Sequence, residues 1–354
     1  MAINRRKALL ASSIAVPAGF MSASGLAAPA VRTQDSVRLR MVTSWGKSAP
    51  GPGTTADRIA ARIEALSAGR IKIDLFGAGE LVSAFGVFNA VSQGIADIGH
   101  SASFFQAGEH PAATIFTTLP FGMGPKAHNA WIAQGGGQQY WDKIYADFNV
   151  KPYLAGNSDA TMGGWHKKSL ATLEDLKGRR LRVAGLGAKI YAALGATVIT
   201  LAPSEIFMAF SGASLDGVEF LGPFSDQAAG FSQVARYYYW PGFNKPNGSA
   251  EGLVNRTTFD KMSSDHQAIV QTAFELENHI GLAESTWYNA KALDQLRNQG
   301  VTVAHFPADI IDAAKRAWRE IKADWRAQNP EVEPTLGSYE TAASFLGDWT
   351  ALQA

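Results

Sequence analysis

The sequence predicts an α/β fold of two similar lobes followed by a helical C-terminal region. Between residues 36 and 99, apolar segments with the two-residue period of strands alternate with segments of helical period. The same alternation starts again near residue 150, and from about residue 260 the helical period dominates. Strands that alternate with helices at this spacing imply βαβ units and a mainly parallel sheet.

The first series contains three strands and two helices. Residues 36–43 alternate apolar and polar side chains and predict a strand. Thr54 and Thr55 are placed to cap a helix that Gly69 stops. Residues 71–75 alternate again, the apolar side chains of 85–91 share one helical face, and residues 96–99 predict a short buried strand.

The second series repeats this order. Arg182 lies on a strand that ends at Gly185, residues 189–194 predict a short helix, and Pro203 is suited to the first turn of a helix that runs to about residue 210. Residues 90–98 contain a helix end, a glycine, an aspartate and a strand in that order. A segment that starts at residue 209 repeats this order with the spacing changed by one residue. This repetition favours two similar lobes. Long helices are predicted over 260–299 and 308–326.

The first thirty residues predict a signal peptide. Arg5, Arg6 and Lys7 precede an apolar stretch over 8–26 and a run of small residues over 27–30. The arginine pair is typical of the twin-arginine export route, although the residues after the pair depart from its usual pattern, and an uncleaved anchor is the alternative. Removal of three basic residues and no acidic one changes the formal charge from +1 to −2. This near-neutral chain without a basic block is not typical of a nucleic-acid-binding protein.

Catalytic motifs are scarce. The chain has no cysteine, which excludes disulfides and thiolate sites, and its seven histidines lack the spacing of metal hydrolases. Ser44 and Lys47 match the Ser-x-x-Lys spacing of serine acyl-enzymes, but the companion motifs of that class are absent. We therefore expect no enzyme, and His100, just after a predicted strand, is the histidine expected to face a cleft.

Two features could bind a small anion. Arg182 lies near the carboxyl end of its strand, where open α/β sheets bind ligands, and a guanidinium can hold a carboxylate through two hydrogen bonds. The alternative is that Arg182 joins a solvated basic face with its neighbours. The aromatic run 237–243 could line a pocket, although core packing of a strand is the favoured interpretation.

These residues together resemble the substrate-binding subunits of tripartite ATP-independent periplasmic (TRAP) transporters of the DctP type. The resemblance covers nearly the whole chain after residue 43. Its strongest motifs are Gly156-Asn157, Met162-Gly163-Gly164-Trp165, Leu181-Arg182-Val183, Leu215-Asp216-Gly217-Val218-Glu219 and Gly222-Pro223. The branch that binds 2-oxoacids such as pyruvate is most similar, because it shares Tyr237-Tyr238-Tyr239 and Pro241-Gly242.

The resemblance implies a two-lobed, type II-like periplasmic binding protein with hinge strands, a long connecting helix and C-terminal helices. It implies one lobe from residues 34–158 and 248–287, and a second from 159–247 and 288–354. It also implies a set of substrate-binding residues: Arg182, Asn157, Thr161, Glu219, Phe220 and Lys245. Glu219 and the backbone of Phe220 are the implied metal ligands if a cation such as sodium is bound.

The chain departs from the 2-oxoacid branch at three of these positions. Thr161 replaces a glutamine, Phe220 a tryptophan, and Lys245 a second glutamate. We expect the Lys245 ammonium to supply the charge that a cation supplies in the branch, because a buried lysine would repel a metal ion. The alternative is that Lys245 points away and Glu251 or a carbonyl completes a metal site.

The sequence thus predicts periplasmic capture of a small 2-oxo or 2-hydroxy carboxylate and its delivery to the membrane subunits of a TRAP transporter. A dicarboxylate or larger acid is the alternative, and a serine hydrolase built on Ser44 and Lys47 is the remote one. No nucleic-acid partner and no cofactor are expected. Trp318 and Trp325 are expected to be packing anchors, and a homodimer through the C-terminal helices is possible.

Overall fold

A computed structural model describes residues 36–352, so the predicted signal peptide of residues 1–30 lies outside the described residues. Within this range the strands predicted over 36–43, 71–75 and 96–99 and the strand of Arg182 are present, and further strands lie between and after them. The strands are β1 Val37–Thr43, β2 Ile71–Phe76, β3 Ile98–Ser101, β4 Val150–Asn157, β5 Gly164–His166, β6 Arg180–Arg182, β7 Thr197–Ile199, β8 Gly217–Val218, β9 Tyr237–Trp240, β10 Ser249–Asn255 and β11 Thr302–His305.

Helices fill the connections between these strands and form the C-terminal region. They are α1 Pro52–Leu66, α2 Val87–Ser92, α3 Pro125–Gln134, α4 Gly137–Ala146, α5 Gly187–Ala193, α6 Ile206–Ser211, α7 Pro223–Ala228, α8 Arg256–Lys261, α9 Ser264–Asn298, α10 Ala308–Gln328 and α11 Glu333–Ala351. None of those between residues 36 and 352 is long and apolar enough to cross a membrane.

Each lobe is built on one sheet, which confirms the predicted two-lobed α/β fold. The first sheet has the order β2-β1-β3-β10-β4 and the second the order β11-β9-β5-β8-β6-β7. The prediction of a mainly parallel sheet needs correction, because β10 is antiparallel to both of its neighbours and so is β5. Both strands are reached by a chain crossing from the other sheet, so each enters its sheet from the edge at which the parallel strands end.

The start of α1 also differs from the prediction. Thr54 and Thr55 do not cap the helix; they lie in its first turn, and their hydroxyl groups donate to the carbonyl oxygen of Gly51 at 2.9 and 3.0 Å. Pro52 takes the first helical position, where a missing N–H group costs no hydrogen bond. The helix therefore begins two residues before the predicted cap.

The two lobes are joined by two strand crossings and by α9. Residues 158–163 lead from β4 to β5, and residues 241–248 lead from β9 back to β10. Helix α9 has 35 residues, a length of about 52 Å, and packs on α1 and β4 of the first lobe and on α7 of the second. Buried Glu277 of α9 accepts hydrogen bonds from Arg58, at 2.8 Å, and from Arg62 of α1. These contacts fix α9 to the first lobe.

The C-terminal helices pack on both lobes. Helix α10 contacts α5, whereas α11 returns to α3 and α4. Trp318 and Trp325 are both buried in the adjoining core, so they are packing anchors within the chain. The predicted lobe boundaries, which give residues 288–354 to the second lobe, stay a prediction.

The aromatic run 237–243 belongs mainly to the core. Tyr238 and Tyr239 are buried on β9, and the Tyr238 ring stacks on Trp165 of β5 at a centroid distance of 4.1 Å. Trp240, at the end of the strand, is 45% exposed. The favoured interpretation, core packing of a strand that enters a turn, therefore describes this segment.

Candidate functional site

A small cavity lies between the two lobes, at the edge where the parallel strands end. Its volume is about 30 Å³. Its walls include residues that follow β1, β3 and β4 in the first lobe and residues from the segments around Leu221 and Lys245. The main side chains are Trp45, His100, Phe104, Asn157, Leu221 and Lys245. This is the position at which open α/β sheets bind ligands.

Three charged side chains form a buried cluster at this cavity. The Lys245 ammonium lies 2.6 Å from one Glu219 carboxylate oxygen, and the Arg182 guanidinium lies 3.7 Å from the other. The three side chains are between 1% and 4% exposed. Two cations thus face one carboxylate in this cluster. The buried Asp226 carboxyl, whose pKa burial raises to about 6, is a further acidic group that acts on both cations.

The structure excludes the solvated-face alternative for Arg182. The residue ends β6, between β7 and β8, and is buried. Its guanidinium donates through Nε and Nη2 to the carbonyl oxygen of Leu201, at 3.2 and 2.9 Å, and through Nη1 to that of Glu219, at 2.8 Å. Burial lowers the pKa of Arg182 from its ordinary value. Two of the five N–H groups of a guanidinium, one on each terminal nitrogen, are left over by these three hydrogen bonds.

Lys245 is the cation that borders the cavity. Its ammonium donates to the carbonyl oxygen of Phe220 and lies 5.4 Å from the centroid of the Phe104 ring. Burial lowers the pKa of Lys245, and the neighbouring Glu219 carboxylate partly opposes that shift. The alternative in which Lys245 points away from the cleft is therefore wrong.

Asn157 is the last residue of β4, and Thr161 lies on the crossing that follows it. Asn157 lines the cavity, and its amide donates to Asn247 at 2.9 Å and to Ser249 at 3.0 Å. The Thr161 hydroxyl donates to the carbonyl oxygen of Lys245 at 2.6 Å. Thr161 thus positions the Lys245 backbone and does not itself line the cavity.

The six predicted site residues therefore divide into two groups. Asn157 and Lys245 line the cavity, whereas Arg182, Glu219 and Thr161 contact Lys245 or its partners from behind. Phe220 contributes its carbonyl oxygen to Lys245, and its ring centroid lies 5.8 Å from the central carbon of the Arg182 guanidinium. Their role in binding a substrate stays a prediction.

His100 faces the cleft, as expected from its position after a strand. Its Nδ1 accepts from the indole N–H of Trp45 at 3.1 Å, and its Nε2 lies 2.7 Å from the carbonyl oxygen of Ala155. These partners fit a neutral ring with the proton on Nε2. Burial lowers the pKa of His100 to about 4. The ring is therefore a fixed, uncharged wall of the cavity.

Trp45 and Phe104 were missed as cavity residues. Trp45 follows β1 after one residue, and Phe104 follows β3 after two. Their position just beyond the carboxyl ends of parallel strands was the available signal, since ligand sites form there.

The serine hydrolase alternative has no geometric support. The Ser44 hydroxyl is buried and donates to the carbonyl oxygen of Ala84 at 2.6 Å. The Lys47 ammonium lies 2.6 Å from the Glu80 carboxylate at the surface. A serine acyl-enzyme requires the serine hydroxyl and the lysine ammonium to lie within hydrogen-bond distance of each other, whereas here each group bonds a different partner.

The two carboxyl groups considered as metal ligands, Glu219 and Glu251, have other partners in the structure. Between residues 36 and 352 there is no group of three or more His, Asp or Glu side chains placed to hold a metal ion. Glu251, which was considered as a further ligand, is buried in the first lobe and accepts a hydrogen bond from the Tyr145 hydroxyl at 2.9 Å. Burial raises its pKa to about 8, so this carboxyl stays protonated at neutral pH.

Comparison with known proteins gives consistent results. The family model for bacterial extracellular solute-binding protein, family 7 (DctP) matches residues 41–328. A monocarboxylate 2-oxoacid-binding periplasmic protein of Nostoc sp. is 34% identical over 311 residues, which cover 84% of this chain and 85% of the relative.

Two solved structures are similar over most of their length. One is a TRAP transporter solute-binding protein from Bordetella bronchiseptica, a dimer with calcium and picolinate. Its sequence is 31% identical to this chain, its TM-score is 0.87, and the match covers 90% of this chain and 95% of the relative. The other is a TRAP solute-binding protein from Pseudoalteromonas atlantica, with sodium and pyruvate. Its sequence is 30% identical to this chain, its TM-score is 0.86, and the match covers 90% of this chain and 97% of the relative.

Proposed function

The chain belongs to the bacterial extracellular solute-binding protein family 7 and is a solute-binding protein of a TRAP transporter, and we propose that its solute is a small monocarboxylate. In this proposal the protein captures the acid in the periplasm and delivers it to the membrane subunits. The Lys245 ammonium at the border of a cavity of about 30 Å³ is the observation that carries the choice of a monocarboxylate.

The charge argument distinguishes acids by their valence. Lys245 is the one charged residue among the described residues that line the cavity, and it is 3% exposed. One carboxylate of the ligand finds its partner there, whereas the second carboxylate of a dicarboxylate would be buried without one, which is costly. The donors that we propose for the bound carboxylate are the Lys245 ammonium and, behind it, the two N–H groups that Arg182 has left over.

The size of the cavity supports a short acid. One buried water needs a cavity of about 10–15 Å³. The cavity of about 30 Å³ therefore has room for only a few non-hydrogen atoms unless the lobes move apart. Pyruvate and picolinate, bound by the two structural relatives, each place an acceptor atom on the carbon next to the carboxylate. We therefore expect a 2-oxo acid or another monocarboxylate with an acceptor at this position.

A thermal-shift screen tests the proposal. The protein without its first 30 residues is unfolded and refolded to remove bound acid, then heated with pyruvate, lactate, picolinate, succinate or malate. A ligand at about 100 times its Kd adds about 2.7 kcal/mol and raises Tm by several degrees. We expect this shift with monocarboxylates that carry the neighbouring acceptor. A larger shift with succinate or malate, or no shift with any monocarboxylate, contradicts the proposal.

We also propose that two copies pair through α11. Phe345 and Trp349 lie one turn apart on this helix, and Leu352 follows directly after its last residue; the three are 57%, 56% and 82% exposed. An apolar row of this kind is suited to a partner surface. The dimeric relative from Bordetella bronchiseptica is in keeping with such pairing.

A further inference from the structure

We infer that the Lys245 ammonium is a built-in cation, which lets this protein bind its acid without the metal ion that accompanies the acid in its relatives. The inference rests on the proposed function and specifies how that site recognises its ligand. It starts from a difference: two relatives hold their acid with calcium or sodium, whereas the described residues of this chain offer no cluster of metal ligands.

The ammonium contacts the kind of oxygen atoms that a metal would use. Calcium and sodium bind carboxylate and carbonyl oxygens, for calcium at about 2.3–2.6 Å. The Lys245 nitrogen lies 2.6 Å from a Glu219 carboxylate oxygen and donates to the carbonyl oxygen of Phe220. Both candidate ligands are therefore already occupied. A metal ion that bound them would have to displace the ammonium or lie against it.

The Lys245 side chain is held in this position from several sides. Its backbone carbonyl accepts from the Thr161 hydroxyl at 2.6 Å, and its backbone N–H donates to Gly242 at 2.9 Å. The centroid of the Phe104 ring, which also lines the cavity, lies 5.4 Å from the Lys245 ammonium nitrogen. Lys245 is only 3% exposed, so little solvent is available to replace Glu219 as a partner of the ammonium. The positive charge is thus a fixed part of the site.

This arrangement determines what the site can recognise. An ammonium only donates hydrogen bonds, so the ligand atom beside the carboxylate must be an acceptor. A 2-oxo oxygen meets this requirement, as it would for a metal. The charge of the site, however, no longer depends on ion concentration outside the cell. We therefore expect the same affinity for pyruvate with and without metal ions.

The test is calorimetric titration of pyruvate into chelator-treated protein, with calcium, sodium or choline chloride at equal ionic strength. For the wild type we expect Kd values that agree within about threefold in all three salts. An affinity that rises by about tenfold or more with calcium or sodium overturns the inference. Absence of binding in every salt overturns the proposed ligand class, and the inference with it.

A substitution and a matched control sharpen the test. Lys245→Gln replaces the ammonium by an amide whose oxygen can join Glu219 and Phe220 as a metal ligand. We expect it to lose about 30-fold in pyruvate affinity with chelator and to regain about tenfold or more with calcium. The control Lys47→Gln removes a lysine with the same 2.6 Å contact to a glutamate, but at the surface, and should bind as the wild type does. Equal binding by Lys245→Gln in chelator contradicts the inference.

Discussion

Replacing Arg182 by lysine tests whether stability and ligand affinity depend on the shape of the guanidinium group and not only on its charge. The arginine bonds the carbonyl oxygen of Leu201 through two nitrogens and that of Glu219 through the third. A lysine keeps the charge but has one nitrogen at the end of a shorter reach, so it cannot serve both carbonyls and a ligand at once. At least one buried carbonyl oxygen then loses its partner.

The expected magnitudes follow from these contacts. An unsatisfied buried acceptor costs about 1–3 kcal/mol, and a lost hydrogen bond to a charged group costs about 1.5–3 kcal/mol. We therefore expect Arg182→Lys to lower the free energy of unfolding by about 2–4 kcal/mol. Loss of the two-pronged contact that we propose between Arg182 and the bound carboxylate should weaken pyruvate binding by about 2 kcal/mol or more, which is about 30-fold in Kd.

Arg180→Lys is the matched control on the same strand. Arg180 bonds Asp216 at 3.0 and 3.1 Å, but its side chain is 45% exposed. Exposed pairs of this kind contribute about 0–1 kcal/mol, so little change is expected in stability or in pyruvate affinity. Urea unfolding followed by circular dichroism measures the first quantity and calorimetry the second. If Arg182→Lys and Arg180→Lys behave alike in both assays, the role given to the buried guanidinium is refuted.

Two further predictions concern stability and assembly. Glu251 has a folded pKa of about 8 against an ordinary 4.5, so the unfolded carboxyl ionises first and the wild type loses stability as pH rises between these values. Relative to Glu251→Gln, which keeps an acceptor for Tyr145, the loss should be about 3 kcal/mol between about pH 5 and pH 7.5 in urea unfolding. If the difference in unfolding free energy between the wild type and Glu251→Gln does not change with pH, the prediction is wrong. For the α11 dimer, light scattering should show Trp349→Glu as a monomer. The control Trp287→Glu, at a tryptophan on α9 that is 71% exposed against 56% for Trp349, should remain a dimer, and a monomeric wild type contradicts the pairing.

Much of the fold could be predicted because strands and helices leave local signals. The alternation of residues 71–75 and the helical stripe after residue 308 correspond to β2 and α10. The direction of β5 and β10 could not be read in the same way. A strand has the same side-chain period whichever way it runs, and its direction depends on which sheet the chain has just left.

The site shows the same division. Arg182 could be placed at the carboxyl end of a strand from the sequence pattern, and the family resemblance indicated its neighbours. The pattern did not indicate that the Thr161 hydroxyl bonds the backbone of Lys245, a residue 84 positions away. It also did not show that Trp45 and Phe104 close the cavity. Such contacts join segments that are distant in sequence.

The sequence by itself determined the family, the order of strands and helices and the residues available for binding, because these follow from local patterns of apolar, small and charged residues. The tertiary structure alone decided how the charges are paired. Arg182 bonds a carbonyl 37 positions away, and Lys245 meets Glu219 only because the crossing over residues 241–248 passes the end of β8. Periodicity shows which face of an element a side chain occupies, but not which distant side chain it meets, since that depends on how the lobes close.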